Sequence, residues 1–301
     1  MGCWINSNFH GLVGYSDDNW VLAPSIYGLQ EMMNVIENFC IPHNLKFSTD
    51  PDPQKCKTKC VAFLLRQRPL SDVFLCGNRL PWVRHGVHLG NYFTDYYDGL
   101  KKDVSNKRGQ FIQKSCELQQ EFSYAHPSTK IRINSIYNCH FTGSPLWDLF
   151  SKEVGQLERT WNITIRKIFG LPLTTHRYLI EPVSGTRHLK KILIKRFISF
   201  LHQIRNSQKN ATKQLLNFIH KDTNSITGSN IRHILRLTSK SHWDQVKDCD
   251  VNGIEYCVIS EENKWRVSFI SELVDVKTND ATVEGFTSEE IEEILDFVCT
   301  S

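Results

Sequence analysis

Three consecutive segments near the start of this 301-residue chain decide its fold class: Gly11-Leu12-Val13-Gly14-Tyr15, Ser16-Asp17-Asp18-Asn19 and Trp20-Val21-Leu22-Ala23. The middle segment consists of residues that favour tight turns, and the apolar segments on either side favour short β-strands. The stretch therefore predicts a β-hairpin that carries two adjacent carboxylates, Asp17 and Asp18, at its tip.

The residues that follow the hairpin predict one helix and two more strands. Ser25 is placed to cap a helix that ends before Pro42, because apolar residues recur between them at helical spacing. Strands are predicted over residues 60–65 and 73–76, which are continuous apolar runs. Residues 1–97 are therefore expected to form an α+β unit with a small antiparallel sheet and one helix.

From residue 98 onward the spacing of apolar residues becomes helical. Helices are predicted over residues 100–122, 131–137, 148–169 and 188–205. Gly170 provides the C-cap of the third helix. Residues 98–236 are thus expected to be mostly α-helical. Residues 237–301 are expected to form a small acidic α+β appendage, with strands over 255–259 and 265–269.

Charge is distributed unevenly along the chain. Residues 151–236 contain 16 Lys and Arg against 4 Asp and Glu, whereas residues 237–301 contain 5 against 15. The basic segment implies a polyanionic partner, or else the acidic segment folded back upon it. Five basic residues lie opposite the apolar stripe of the predicted helix 188–205 and are candidates for binding nucleic-acid phosphates: Lys190, Lys191, Lys195, Arg196 and Arg205. An ordinary solvent-exposed helix face is the alternative, and both remain open.

The composition indicates a globular protein. Hydrophobic residues make up 40% of the chain and charged residues 23%, which excludes collagen, coiled-coil arrays and extended disorder. No run of about 18 uncharged apolar residues is present, so no membrane partner is expected. The N-terminus lacks the basic region of a signal peptide, which predicts an intracellular location, nuclear or cytoplasmic. The ten cysteines are therefore expected to be thiols, with no disulfide-linked partner.

Asp17 and Asp18 are the strongest candidates for chemistry. Two carboxylates this close repel each other, and a bound cation relieves the repulsion. Oxygen ligands of this kind suit Mg²⁺. Two such ions about 3.5–4 Å apart can activate an attacking hydroxyl and stabilise a departing oxygen in phosphoryl transfer. The alternative is a polar hairpin turn without chemistry, which the same residue types favour equally.

Three motifs in this order resemble the palm of reverse transcriptases from non-LTR retrotransposons of the LINE or jockey type. The first is a Tyr-x-Asp-Asp hairpin with its following apolar strand and helix, residues 14–25 here. The second ends in Lys57-Thr58-Lys59 before a predicted strand, and the third is the Leu-Gly step of His88-Leu89-Gly90-Asn91. Residues 98–200 are similar to the helical thumb and connecting region, including the segment 142–147.

The resemblance implies a role for each matching residue. Asp17 would coordinate the catalytic metal, and Asp18 would be its less direct partner. Tyr15 and Ser16 would lie at the primer end or the incoming nucleotide, with Ser16 standing where the family often has Ala. Lys57 would lie near the nucleotide's phosphates, where an ammonium could protonate departing pyrophosphate. The implied cofactor is Mg²⁺, and the implied partners are an RNA template, a DNA primer and deoxynucleotides.

Two features leave alternatives open. Lys55 and Lys59 compete with Lys57 for the same role. The family's palm also carries another metal-binding aspartate on an earlier strand, whereas fourteen residues precede Tyr15 here and none is Asp or Glu. The sequence therefore predicts a truncated RNA-directed DNA polymerase with an incomplete catalytic site and no unaided activity. The alternative is a non-catalytic nucleic-acid-binding or interaction module that uses the basic helices of residues 151–236.

A zinc site is a weaker alternative for the same part of the chain. Cys56, Cys60, His85 and His88 could together supply a Cys₂His₂ ligand set. However, the chain contains no Cys-x-x-Cys pair, and Cys60 begins a predicted buried strand. The resemblance also accounts for His88 as part of the Leu-Gly motif, so zinc is disfavoured.

Overall fold

The computed structural model describes residues 2–5, 7–52, 54–63, 70–94, 99–135, 141–222, 225–253 and 268. The chain divides into two compact units. The first consists of Met1–Asp103 and Leu201–Gly228, and the second consists of Val104–Phe200 and Ser229–Ser301. The chain therefore leaves the first unit after Asp103 and returns to it for one short segment.

The described strands of the first unit pair as four two-stranded antiparallel hairpins. They are β1 (Trp4–Ile5) with β2 (Asn8–Phe9), β3 (Leu12–Tyr15) with β4 (Asp18–Val21), β5 (Phe74–Leu75) with β6 (Asn78–Arg79), and β7 (His85–His88) with β8 (Asn91–Thr94). The predicted hairpin at residues 11–23 is thus present, with a turn formed by Ser16 and Asp17 alone.

Helices account for most of the described secondary structure. In chain order they are α1 (Ile26–Cys40), α2 (Gly99–Glu121), α3 (Pro127–Ile133), α4 (Lys152–Phe169), α5 (Arg177–Ser184), α6 (Leu189–Asn206), α7 (Asn210–Lys221), α8 (Ile226–Thr238) and α9 (Asp248–Asn252). A mostly helical α+β protein with small antiparallel sheets confirms the predicted fold class at this level. The assignment of palm and thumb, and the division at residues 97 and 236, stay predictions.

Helix α1 begins and ends where the sequence predicts. The Ser25 hydroxyl accepts a hydrogen bond from the backbone N–H of Gly28 at 3.1 Å, and Pro42 lies in the 3₁₀ turn that ends the helix. The inner side of α1 contributes to a buried apolar cluster: Met33, Cys56, Cys60, Val73, Leu75 and Leu80. Because these residues come from separate segments, the cluster joins α1 to the loops and hairpins that follow it.

The strand predicted over residues 60–65 is wrong in its described part. Residues 60–63 make a single parallel bridge, between Cys60 and Trp82. The N–H of Cys60 donates to the carbonyl of Pro81 at 2.9 Å, and the N–H of Val83 donates to the carbonyl of Cys60 at 2.8 Å. In its described part, the predicted strand is therefore reduced to the one bridge residue Cys60.

In the second unit, aromatic side chains fill the space between helices. Phe111 of α2 stacks on Trp161 of α4 with ring centroids 5.6 Å apart, and Phe141 contacts both Phe111 and Trp147. Helix α4 ends at Gly170, whose φ of +66° confirms the predicted left-handed C-cap. It begins at residue 152 rather than 148, because the Ser151 hydroxyl caps the N–H of Val154.

Three further predictions concern the C-terminal strands, membrane-spanning helices and the state of the cysteines. The predicted strands at 255–259 and 265–269 lie outside the described residues, apart from Ser268. No described helix has the length and apolar character that a membrane crossing requires. Seven cysteines are described, and all of them are free thiols: Cys3, Cys40, Cys56, Cys60, Cys76, Cys116 and Cys249.

Candidate functional site

The two predicted metal-ligating carboxylates lie at the exposed tip of the β3–β4 hairpin. Tyr15 pairs with Asp18 as the last register pair, so Ser16 and Asp17 form a two-residue turn. Ser16 adopts a φ of +56°, the left-handed conformation that such a turn requires of one central residue. Tyr15 is 67% exposed, and Ser16, Asp17 and Asp18 are also exposed. Water therefore screens the repulsion between the carboxylates, and the fold itself requires no cation there.

The ligand set around this tip is small. Within the described residues, no group of three or more His, Cys, Asp or Glu side chains is arranged to hold a metal ion. Asp17 and Asp18 therefore offer at most the two carboxylates of their own turn. Their oxygen chemistry fits Mg²⁺, which usually keeps several waters and takes only one or two protein carboxylates together with substrate phosphates.

A second sequence motif packs directly against this hairpin. The indole of Trp20 on β4 meets the rings of His88 and Phe93 edge-on, with centroids 5.1 Å and 4.7 Å away. Between β7 and β8, Leu89 and Gly90 form a tight turn with φ values of +48° and +75°, as hairpin turns of the mirror-image type require. The structure thus brings the Tyr-x-Asp-Asp hairpin and the Leu-Gly hairpin into contact.

Lys57 lies in a segment that is anchored at both ends. Cys56 and Cys60 are buried in the apolar cluster, and Thr58 hydrogen-bonds to the carbonyl of Ser48 through both its N–H and its hydroxyl, each at 3.2 Å. Lys57 itself is exposed. In the part of the chain that is described, no hydrogen bond or ion pair joins Lys57 to Asp17 or Asp18. Its proposed contact with a nucleotide phosphate stays a prediction.

The lysines that compete with Lys57 are also on the surface. Lys55 is exposed and forms a long ion pair of 3.9 Å with Asp52, and Lys59 is exposed. An exposed ion pair of this length contributes little to stability, at most about 1 kcal/mol. The geometry therefore does not select one of the three lysines, and the alternatives that the sequence leaves open remain.

Three of the five candidate basic residues of α6 have partners within the second unit. The Lys190 ammonium lies 4.7 Å from the ring centre of Phe150, and burial lowers the pKa of Lys190. The Lys191 ammonium lies 3.0 Å from a carboxylate oxygen of Glu181. Lys195 forms an ion pair with Asp248. The two remaining candidates are Arg196, which is half-buried, and Arg205, which is exposed.

A partly buried cluster of titratable side chains was not predicted from the sequence. One carboxylate oxygen of Glu158 lies 3.1 Å from the guanidinium of Arg177 and 3.1 Å from Nε2 of His188. Burial raises the pKa of Glu158. Burial, followed by the charges of Arg177, Lys191 and Lys190, lowers the pKa of His188 to about 4. The members come from α4, from α5 and from the residue before α6, and they follow no motif, so no local signal could have revealed them.

The four residues of the zinc alternative have other surroundings. Burial, and then the charge of Cys56, raises the pKa of Cys60 to about 11, and both thiols lie in the apolar cluster. His88 packs on Trp20, and His85 is exposed. These surroundings favour a core role for both thiols.

Comparison with known proteins adds no relative. No protein-family model matches the chain, and no match is found among the curated proteins or among the solved structures.

Proposed function

We propose that this chain is part of the reverse transcriptase of a non-LTR retrotransposon, with the β3–β4 hairpin as the palm element that meets the primer end. The observation that carries the proposal is that Asp17 and Asp18 lie at the exposed tip of a hairpin whose Trp20 packs against the hairpin that holds the Leu-Gly step. Both motifs come from the sequence resemblance, and their contact through Trp20 supports a shared role.

The proposed chemistry assigns separate tasks to the hairpin residues. Asp17, with Asp18 as its partner, would hold Mg²⁺, and that ion would supply charge stabilisation for nucleotidyl transfer. The exposed ring of Tyr15 stacks on the terminal base or sugar of the primer, because base–aromatic stacking tolerates any sequence. Ser16 keeps the turn small, so that the phosphates can approach the backbone. Lys57 neutralises the departing pyrophosphate.

We propose that the site is incomplete for chemistry with two ions, which needs more ligands than Asp17 and Asp18, and within the described residues no third His, Cys, Asp or Glu joins them. We therefore expect the chain to bind a template–primer end without extending the primer by itself. Binding and extension are separate measurements, so the assignment of the hairpin and the incompleteness of the site can be tested independently.

Photo-crosslinking tests the hairpin assignment. A DNA primer with a terminal 5-iododeoxyuridine is annealed to an RNA template and irradiated with the protein in Mg²⁺, and the joined peptide is identified by mass spectrometry. We expect the crosslink at Tyr15, and a several-fold loss with Asp17→Asn. Asp50→Asn is the matched control, because it removes the same charge and an asparagine can still accept the N–H of residue 52. The assignment would be overturned if the crosslinks were confined to the basic helices, or if Asp17→Asn gave the same crosslink yield as the unsubstituted chain.

Primer extension on the same duplex tests the incompleteness. We expect no incorporation above the level of Asp17→Asn. Incorporation that requires Asp17 would support the polymerase assignment and overturn the incomplete site.

A second candidate function is a nucleic-acid-binding module in which the hairpin carboxylates have no catalytic task. The observation that favours it is a set of exposed basic side chains in the second unit: Lys152, Arg159, Lys167 and Arg187. Phosphate contacts of this kind make affinity fall steeply with salt, by a log–log slope of about 0.7 for each phosphate of a single strand. Measuring the affinity for single-stranded RNA at increasing KCl concentrations tests this function. An affinity that does not change with KCl would rule it out.

A further inference from the structure

We propose that the acidic C-terminal segment, residues 248–301, competes with nucleic acid for helix α6, and that Asp248 occupies the position that a phosphate would take at Lys195. The inference rests on the second candidate function, nucleic-acid binding through the basic helices. It identifies what lies on that surface when no nucleic acid is bound.

The supporting observation comes from residues 248–253, the described start of this segment. Asp248, the first residue of α9, forms an ion pair with Lys195 of α6, and both residues belong to the second unit. The next acidic residue, Asp250, lies 3.2 Å from the ammonium of Lys240 and accepts the backbone N–H of Lys247 at 2.8 Å. Two carboxylates of α9 thus contact basic side chains, one of them a predicted phosphate-binding residue.

The charge of the segment favours the same occupant. Residues 248–301 contain 14 Asp and Glu against three Lys and Arg, and the basic stretch 151–236 has an excess of the opposite sign. A covalently joined segment acts at an effective concentration of the order of millimolar, which is enough to compete with non-specific nucleic-acid binding at Kd values of about 10⁻⁴–10⁻⁶ M. A carboxylate and a phosphate are alternative anions for the same ammonium, so the two cannot occupy Lys195 together.

Substitutions in the full-length chain separate this contact from overall charge. Asp248→Asn removes the anion at Lys195. Asp244→Asn is the matched control, because it removes the same charge from the same stretch, and Asp244 pairs with His242 at 2.7 Å. Both variants keep the shape of the side chain, and the whole chain is present in each.

Fluorescence anisotropy with a labelled single-stranded RNA of about 20 nucleotides measures the effect on affinity. At about 0.1 M KCl we expect Asp248→Asn to bind three- to tenfold more tightly than the unsubstituted chain, with a log–log salt slope steeper by about 0.7, as one added phosphate contact requires. Asp244→Asn should change the affinity by less than about twofold. Equal gains in the two variants, or no gain in Asp248→Asn, would overturn the competition.

A zero-length carbodiimide crosslink tests the contact without relying on RNA binding. The reagent joins a carboxylate to a neighbouring ammonium, so we expect a Lys195–Asp248 peptide that excess RNA suppresses. A crosslink that RNA leaves unchanged overturns the competition even if RNA binds elsewhere. If the crosslink forms and no variant binds RNA, the second candidate function fails, and the competition fails with it while the contact stands. The absence of the crosslink would contradict the contact itself.

Discussion

The side-chain amide of Asn230 donates a hydrogen bond to the carbonyl of Trp147 at 2.7 Å, across 83 residues of the chain. The same side chain accepts the backbone N–H of Leu149 at 3.0 Å. Because a backbone N–H can only donate, the two contacts fix which end of the amide faces which residue. Asn230 of α8 thus acts as the hydrogen-bonding partner for a buried turn that no strand or helix satisfies.

Replacing Asn230 with alanine should therefore destabilise the second unit strongly. Two buried hydrogen bonds are lost, one to the carbonyl of Trp147 and one from the N–H of Leu149, so we expect the free energy of unfolding to fall by about 2–4 kcal/mol. Urea unfolding monitored by circular dichroism measures it. Asn217→Ala, at an exposed position of α7, is the control and should stay within about 0.5 kcal/mol. An equal effect of the two substitutions would contradict the role of Asn230.

The elements that were predicted from the sequence are determined by residues that lie close together in the chain. Ser25 caps α1 and Gly170 ends α4 because each acts on backbone groups within four residues of itself. The hairpin of Asp17 follows from turn-forming residues between short apolar segments in the same way. Local rules of this kind require no knowledge of the rest of the chain.

The features that the sequence did not reveal depend on distant partners. The apolar run that starts at Cys60 has the composition of a strand, yet its described part pairs only through the bridge of Cys60 to Trp82, a partner that lies further along the chain. The ion pair of Lys195 required knowledge of where Asp248 lies, and the cluster of Glu158 joins α4, α5 and the residue before α6. Helical periodicity predicts that a lysine lies opposite the core, but it does not predict which carboxylate forms an ion pair with that lysine.

Trp20 should hold the two hairpins of the candidate site together. Its indole is half-buried and contacts His88 and Phe93 on β7 and β8. Trp20→Ala removes both contacts and should lower the free energy of unfolding by about 1–3 kcal/mol, whereas Trp20→Phe keeps an aromatic ring and should lower it by less than half as much. Urea unfolding measures the series. The prediction requires the free energy of unfolding to rise from Trp20→Ala to Trp20→Phe to the unsubstituted chain. Equal values would show that the ring contacts do not contribute to stability.

His188 should make stability depend on pH in a defined range. Its pKa falls from an ordinary 6.5 to about 4 in the folded protein, chiefly through burial. Between these pH values His188 binds a proton in the unfolded chain but not in the folded chain. The contribution of neutral His188 to stability is therefore fully present above pH 6.5 and falls as the pH drops towards 4. The raised pKa of Glu158 acts in the opposite direction, because its folded form gains protons more readily than its unfolded form.

Urea unfolding at several pH values in this range tests the prediction. His188 contributes a slope of at most about 1.4 kcal/mol per pH unit, and His188→Gln should reduce the slope of the whole protein by most of that amount. His85→Gln, at an exposed position, is the control and should leave the slope unchanged. A His188→Gln profile that runs parallel to that of the unsubstituted chain would contradict the assignment.

Cys60 should be nearly inert towards alkylation while the chain is folded. Its thiol is buried in the apolar cluster, and a pKa raised from 9.0 to about 11 leaves about a hundredth of the ordinary thiolate at pH 8. Cys116 on α2 is exposed and serves as the internal reference. Peptide mass spectrometry after brief iodoacetamide treatment should therefore show Cys116 modified at least about a hundredfold faster than Cys60. Urea should bring the two rates together, because unfolding removes both the burial and the shift. Fast labelling of Cys60 in the folded chain would mean that its thiol is accessible and ionised, which would return Cys56 and Cys60 to consideration as metal ligands.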